Sequence, residues 1–135
     1  MKGARWLYYI PGSLWAGLIL YFSFRKSNHF PAILFFGFLP FDKLGHFCAY
    51  LGLSFLFTIA LRQQYPVGAK RFIAYRWMVV AIATYGILIE FLQALPMIDR
   101  SRDFFDIVAN ILGCFAGIFV FNLIFPVRTA VIERT

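Results

Sequence analysis

The chain is predicted to be an all-α membrane protein with four transmembrane helices and a short interfacial or re-entrant segment between the first two. Three observations predict this class. Of its 135 residues, 61% are hydrophobic and only 14% charged, with a mean hydropathy of +0.75. Soluble domains carry about a quarter charged residues. Four apolar stretches each approach the roughly 20 residues needed to cross a 30 Å hydrocarbon layer. The 18 phenylalanines are an aggregation hazard in water and are readily accommodated in lipid.

The first span runs from Trp6 to Phe24, with Pro11 and Gly12 near its start, where a membrane helix tolerates them. HFPAILFFGFLPFDK follows; its apolar run between prolines is too short to cross and reads as the interfacial or re-entrant segment. The second span runs from Leu44 to Leu61, the third from Trp77 to Leu95 and the fourth from Phe104 to Phe125. With no repeat, low-complexity tract or linker, residues 1–135 form one domain. The first apolar stretch is too long for a signal peptide and no A-x-A site follows it, so it is expected to remain in the mature protein.

Charge placement orients the four spans. Lys2, Arg5, Arg62, Lys70, Arg71, Arg76, Arg128 and Arg134 fall on one side. Arg25, Lys26, Lys43, Arg100 and Arg102 fall on the other, among Asp42, Asp99 and Asp103. The excess of positive charge inside predicts that both termini are cytoplasmic. The net charge of +7 is explained by anionic headgroups. Basic residues dispersed over short loops argue against a nucleic-acid partner. Cys48 and Cys114 lie within spans and read as inert thiols, not as a disulfide.

The polar residues inside the spans gather at the three helix ends predicted to lie outside. PFDKLGHFCAYLG opens the second span with Asp42 and His46 one turn apart; IEFLQALP closes the third with Glu90 and Gln93 on one face. RSRDFFDIVANILG opens the fourth, with Asp103, Asp106 and Asn110 on one face. At 1.5 Å per residue, His46 lies roughly 6 Å below Asp42, and Asn110 roughly 10 Å below Asp103. Three helices thus place polar groups in one layer, and groups that are expensive to expose to lipid should face one another. Gly113-x-x-x-Gly117, with Gly45, Ala49 and Gly52, forms small-residue stripes that suit the second and fourth helices as neighbours, bringing His46 near Asp106.

The ordered set Asp42-Lys43-x-x-His46, Glu90-x-x-Gln93 and Arg100-x5-Asp106-x3-Asn110-x2-Gly113 resembles the VanZ-like family of small bacterial membrane proteins. The resemblance covers Phe41 to Phe125. It implies a protein of the bacterial cytoplasmic membrane working at its outer face, in a family named for a member associated with teicoplanin resistance. Arg102 rivals Arg100 for its place in the pattern.

Asp42, Lys43, His46, Glu90, Gln93, Arg100, Asp106 and Asn110 are therefore the candidate substrate-binding residues. In the leading reading the site binds or modifies an envelope lipid or lipid-linked precursor, its headgroup against Lys43, Arg100 and Arg102. A second is metal-assisted hydrolysis or transfer. Asp42, His46, Glu90 and Asp106 are oxygen and imidazole donors suited to a divalent ion, and His46, Glu90 and Asp106 are the catalytic candidates. A third is a small proton-coupled transporter using Glu90, for which one four-helix chain would need to oligomerise. The bland alternatives are capping by Asp42, Asp103 or Ser101, interfacial anchoring by Lys43, Arg100 and Arg102, and a purely structural network. No metal or cofactor is assigned by these residues alone.

Overall fold

The computed structural model describes residues 4–24, 34–35, 39–66, 68–95 and 104–126. A 3-10 turn, Arg5–Tyr9, leads into α1, Ile10–Phe24. Pro11 falls in the first turn of α1, where its missing N–H removes no internal hydrogen bond. Three long helices follow: α2 is Phe41–Gln64, α3 is Ala69–Gln93 and α4 is Phe104–Ile124. All four helical segments are long and apolar enough to cross a membrane, which agrees with the predicted class.

Most of the predicted interfacial or re-entrant segment lies outside the described residues. Its described backbone forms two antiparallel rungs, Leu34 opposite Pro40 and Phe35 opposite Leu39. Asp42 falls within the first turn of α2, which begins at Phe41. Its carboxylate there favours the positive end of the helix dipole. Asp103 and Ser101 lie outside the described residues. α3 starts at Ala69, well before the apolar run at Trp77, because the basic KRFIAYR stretch continues the same helix. Gly68 precedes it at φ 93° and ψ −178°, a conformation essentially reserved for glycine.

Contacts at the helix ends fix the relative directions. Lys43 meets Asp106 at the start of both α2 and α4, and Arg62 reaches the Phe125 carbonyl at the end of both. These helices are parallel. His46 near the start of α2 lies beside Glu90 near the end of α3, so α3 runs the other way. Tyr9 hydrogen-bonds Gln64, which sets α1 antiparallel to α2. Residues Arg5 and Phe125 therefore lie at the same end of an up-down bundle.

α2 and α4 make the closest approach. A methyl group at Gly113 would overlap the Phe47 carbonyl oxygen, and one at Gly117 would overlap the Leu51 carbonyl and Ser54 Oγ. Only hydrogen at these two positions lets the backbones touch. The α2 small-residue stripe behaves differently from expectation. A methyl at Gly45 would have no atom within 4 Å, whereas Gly52 faces the Trp15 indole of α1. Trp15 also donates to the Ala49 carbonyl at 2.9 Å, so this stripe turns toward α1.

α1 is held differently from the other helices. Only 6% of its apolar window is buried. It is tied by hydrogen bonds to carbonyls that keep a second lone pair: Trp15 to Ala49, Tyr85 to Ala16 at 2.6 Å, and Gln93 to Ser23 at 2.8 Å. Each such bond contributes on the order of 1 kcal/mol. The interior contains Tyr50, Leu53, Leu61, Met78, Ile82 and Ile89, while Phe115, Phe119, Leu123 and many other large apolar side chains face outward. In lipid, that outward surface carries no hydrophobic penalty.

Candidate functional site

α2 brings Asp42, Lys43 and His46 to one end of the bundle because these positions share a face. α4 brings Asp106 and Asn110, one helical turn apart, and α3 brings Glu90. Asp106, Asn110 and Glu90 are all nearly inaccessible, with 6%, 3% and 3% of their surface exposed. Asp42 is exposed, and Lys43 and His46 are intermediate. The site therefore grades from an open rim at Asp42 to a closed floor at Glu90 and Asn110.

The close approach at Gly113 sets the distances. Lys43 Nζ donates to Asp106 Oδ1 at 2.6 Å. His46 Nδ1 lies 3.1 Å from Asn110 Oδ1 and 3.8 Å from Glu90 Oε1. An amide oxygen and a carboxylate oxygen thus lie on the Nδ1 side of the ring. On the other side, Nε2 faces Asp106 Oδ2 at 4.0 Å. The expectation that helix packing would bring His46 to Asp106 is met by this geometry.

Asp42, His46 and Asp106 each offer one donor atom within 4.8 Å of the others. Three of the four metal candidates thus converge. Glu90 approaches the opposite ring nitrogen and does not join the set. A histidine held by a polar partner through one nitrogen and free at the other is the usual arrangement for metal ligation. The 4.0 Å between His46 Nε2 and Asp106 Oδ2 exceeds the reach of direct proton transfer.

Gln93 does not point its amide nitrogen into this cluster; it ties α3 to α1 at Ser23. Arg100 and Arg102, the expected cationic partners of the acids, lie outside the described residues. Lys43 supplies a described cation beside Asp106 instead. Cys48 is exposed and Cys114 buried, and both are free thiols.

One residue of the site was not anticipated. Tyr50 is 1% exposed, and its hydroxyl has no hydrogen-bond partner among the described residues; neither does Asn110 Nδ2. A methyl at Gly86 would lie 3.2 Å from both atoms, so they adjoin the same point of α3. Tyr50 follows His46 by one turn, and that spacing was the signal available. An aromatic residue inside an apolar span reads as packing, and its spacing alone does not place the hydroxyl.

The profile of the VanZ/LLP1 family matches residues 39–125, the segment that carries α2, α3 and α4 and every candidate site residue. No curated protein and no solved structure matches the chain. The match spans well over half of the sequence and agrees with the four membrane-length helices. The chain is a multi-pass membrane protein and belongs to the VanZ/LLP1 family.

Proposed function

We propose that this chain binds an envelope lipid or lipid-linked precursor through the polar cluster of α2, α3 and α4, at the outer face of the bacterial cytoplasmic membrane. The observation that carries this reading is the convergence of Lys43, His46, Glu90, Asp106 and Asn110 inside membrane-length helices. Ionisable groups within spans are costly, and they mark substrate or ion pathways by default. The rim at Asp42 leaves the cluster open at the helix ends, where a headgroup resides. Among the described residues, Asp42, Glu90 and Asp106 outnumber Lys43, which suits amine or hydroxyl groups of a headgroup.

A second reading is favoured by one observation, the shared donor set of Asp42, His46 and Asp106. Asp42, His46 and Asp106 would hold a divalent ion, which would supply Lewis-acid chemistry for hydrolysis or transfer at a phosphate. Lipid retention would then be lost on adding a chelator; chelator-insensitive retention removes this second reading.

Glu90→Gln tests the proposal. Gln keeps the volume and hydrogen-bonding capacity and removes the carboxylate, so the helices should still pack. Native mass spectrometry of the purified full chain should show a co-purified lipid that Glu90→Gln and His46→Gln lose, with melting temperatures near wild type. Growth under envelope-targeting antibiotics, teicoplanin included, gives the cellular readout. Undiminished lipid retention and activity in well-folded Glu90→Gln would remove this carboxylate from the mechanism.

A further inference from the structure

The opposite end of the bundle carries a second feature that the polar cluster does not use. A cavity of about 510 Å³ lies between α1, α2 and α3, lined mainly by Leu53, Phe57, Leu61, Met78, Ala81 and Ile82. It opens sideways because α1 is tethered by hydrogen bonds and buries little of its surface. At its lower end the lining turns polar: Tyr9 donates to Gln64, and Gln64 Nε2 donates to the Tyr65 hydroxyl at 3.3 Å. Arg71 is fixed beside this end by donating to the Pro66 carbonyl at 2.6 Å. Lys70 adjoins it, and Arg5 lies at the start of the 3-10 turn that carries Tyr9; both are exposed. No acidic residue among the described residues lies at this end.

We propose that this groove holds an acyl chain of an anionic phospholipid, whose phosphate sits against Lys70 and Arg71 at the α2–α3 connection. The apolar lining offers water no partners along its length, and it opens to the hydrocarbon layer, where acyl chains are the available solute. Tyr85 also lines the groove, with its hydroxyl engaged by the Ala16 carbonyl, and the polar cluster of Tyr9, Gln64 and Tyr65 lies at the end where glycerol and phosphate would lie. These basic residues, without an acidic neighbour among the described residues, select a net negative headgroup over a zwitterionic one, each contributing attraction near the surface. A second copy of the chain is a poorer occupant. Inserted in the same orientation, it would bring its own basic end against this one, and like charges repel.

This site is independent of the polar cluster, so each can fail alone. The full chain is purified from nanodiscs containing equal phosphatidylglycerol and phosphatidylcholine, and native mass spectrometry reads the lipid retained. Wild type should keep phosphatidylglycerol in preference to phosphatidylcholine. Ala81→Phe fills the groove and should abolish that phosphatidylglycerol retention, whereas Glu90→Gln should leave it intact while losing the separate lipid of the polar cluster. Lys70→Gln with Arg71→Gln should lower the preference by about fivefold for each charge removed. This charge-changed variant keeps the core unaltered and carries the test if Ala81→Phe fails to fold. Equal retention of the two lipids by wild type, a lipid-free dimer, or a preference unchanged by removing both charges would overturn the proposal.

Discussion

Asp106 is shared between two neighbours: Oδ1 accepts from Lys43 and Oδ2 faces His46. Both partners of the ion pair are largely buried, with side-chain exposures of 18% for Lys43 and 9% for Asp106. Removing one partner of such a pair leaves the other charge in a poor solvent and costs about 3–5 kcal/mol, whereas replacing both by apolar groups is often neutral. Asp106→Asn should therefore lower unfolding stability strongly, and Lys43→Met with Asp106→Leu should recover most of it while losing lipid retention. Denaturant titration of the single and double variants checks this; equal destabilisation by single and double changes would refute a net structural role for the pair. The residues of the site were largely legible, because Asp42 and His46, and Asp106 and Asn110, share helix faces by spacing alone. Their partners were harder to read. Lys43 at a helix start looks the same in sequence whether it anchors at the interface or pairs across to α4. Gln93 shares a face with Glu90, yet it is drawn off by the Ser23 carbonyl, which no periodicity announces.

At the scale of the helix, the site depends on how closely α2 and α4 pack. Gly113 and Gly117 let the α4 backbone rest on Phe47, Leu51 and Phe55 of α2. Since the obstructing atoms are mostly backbone, they cannot rotate away from an added methyl group. Gly113→Ala should part the helices, costing about 1–3 kcal/mol as overpacking does, and should weaken lipid retention through the lengthened His46–Asn110 contact. Gly45→Ala is the matched control: its methyl would meet nothing within 4 Å, and alanine is the better helix former. Its stability should equal or exceed wild type, and similar losses in both variants would show that close packing is not the cause. The apolar run lengths made all four helices legible, and the α4 stripe marked the α2 contact correctly. Partner choice for Gly45, Ala49 and Gly52 was not legible, because small residues permit an approach without naming the helix that makes it. Trp15 decides it by filling the space at Gly52 and donating to Ala49. The helix α3 starts before the apolar run at Trp77 for a related reason: hydropathy marks where a span enters lipid, and the helix continues past it through KRFIAYR.

For the whole molecule, the helix-end contacts separate two chemically unlike ends. Arg5, Arg62, Lys70, Arg71 and Arg76 lie toward the end shared by the chain's first and last described segments. Asp42, Lys43, His46, Glu90 and Asp106 lie toward the other. The up-down arrangement makes these ends face opposite sides of the membrane, so assigning one assigns both. By the four-span topology expected from the sequence, eight basic residues belong to the first side and five to the second, with Asp42, Asp99 and Asp103. The bias in Lys and Arg over short loops sets orientation, with the richer side retained in the cytoplasm. Reporter fusions after Arg71 and at the C-terminus should therefore read cytoplasmic, and insertions near Ser27 and Asp99 should read external. With cytoplasmic termini, the polar cluster would be within reach of outer-leaflet lipids and the basic groove within reach of the anionic inner leaflet. An internal reading at Asp99 would exchange the two faces. It would sink the proposal of an outward-opening envelope-lipid site, while the groove's preference for an anionic lipid would still stand as a separate measurement.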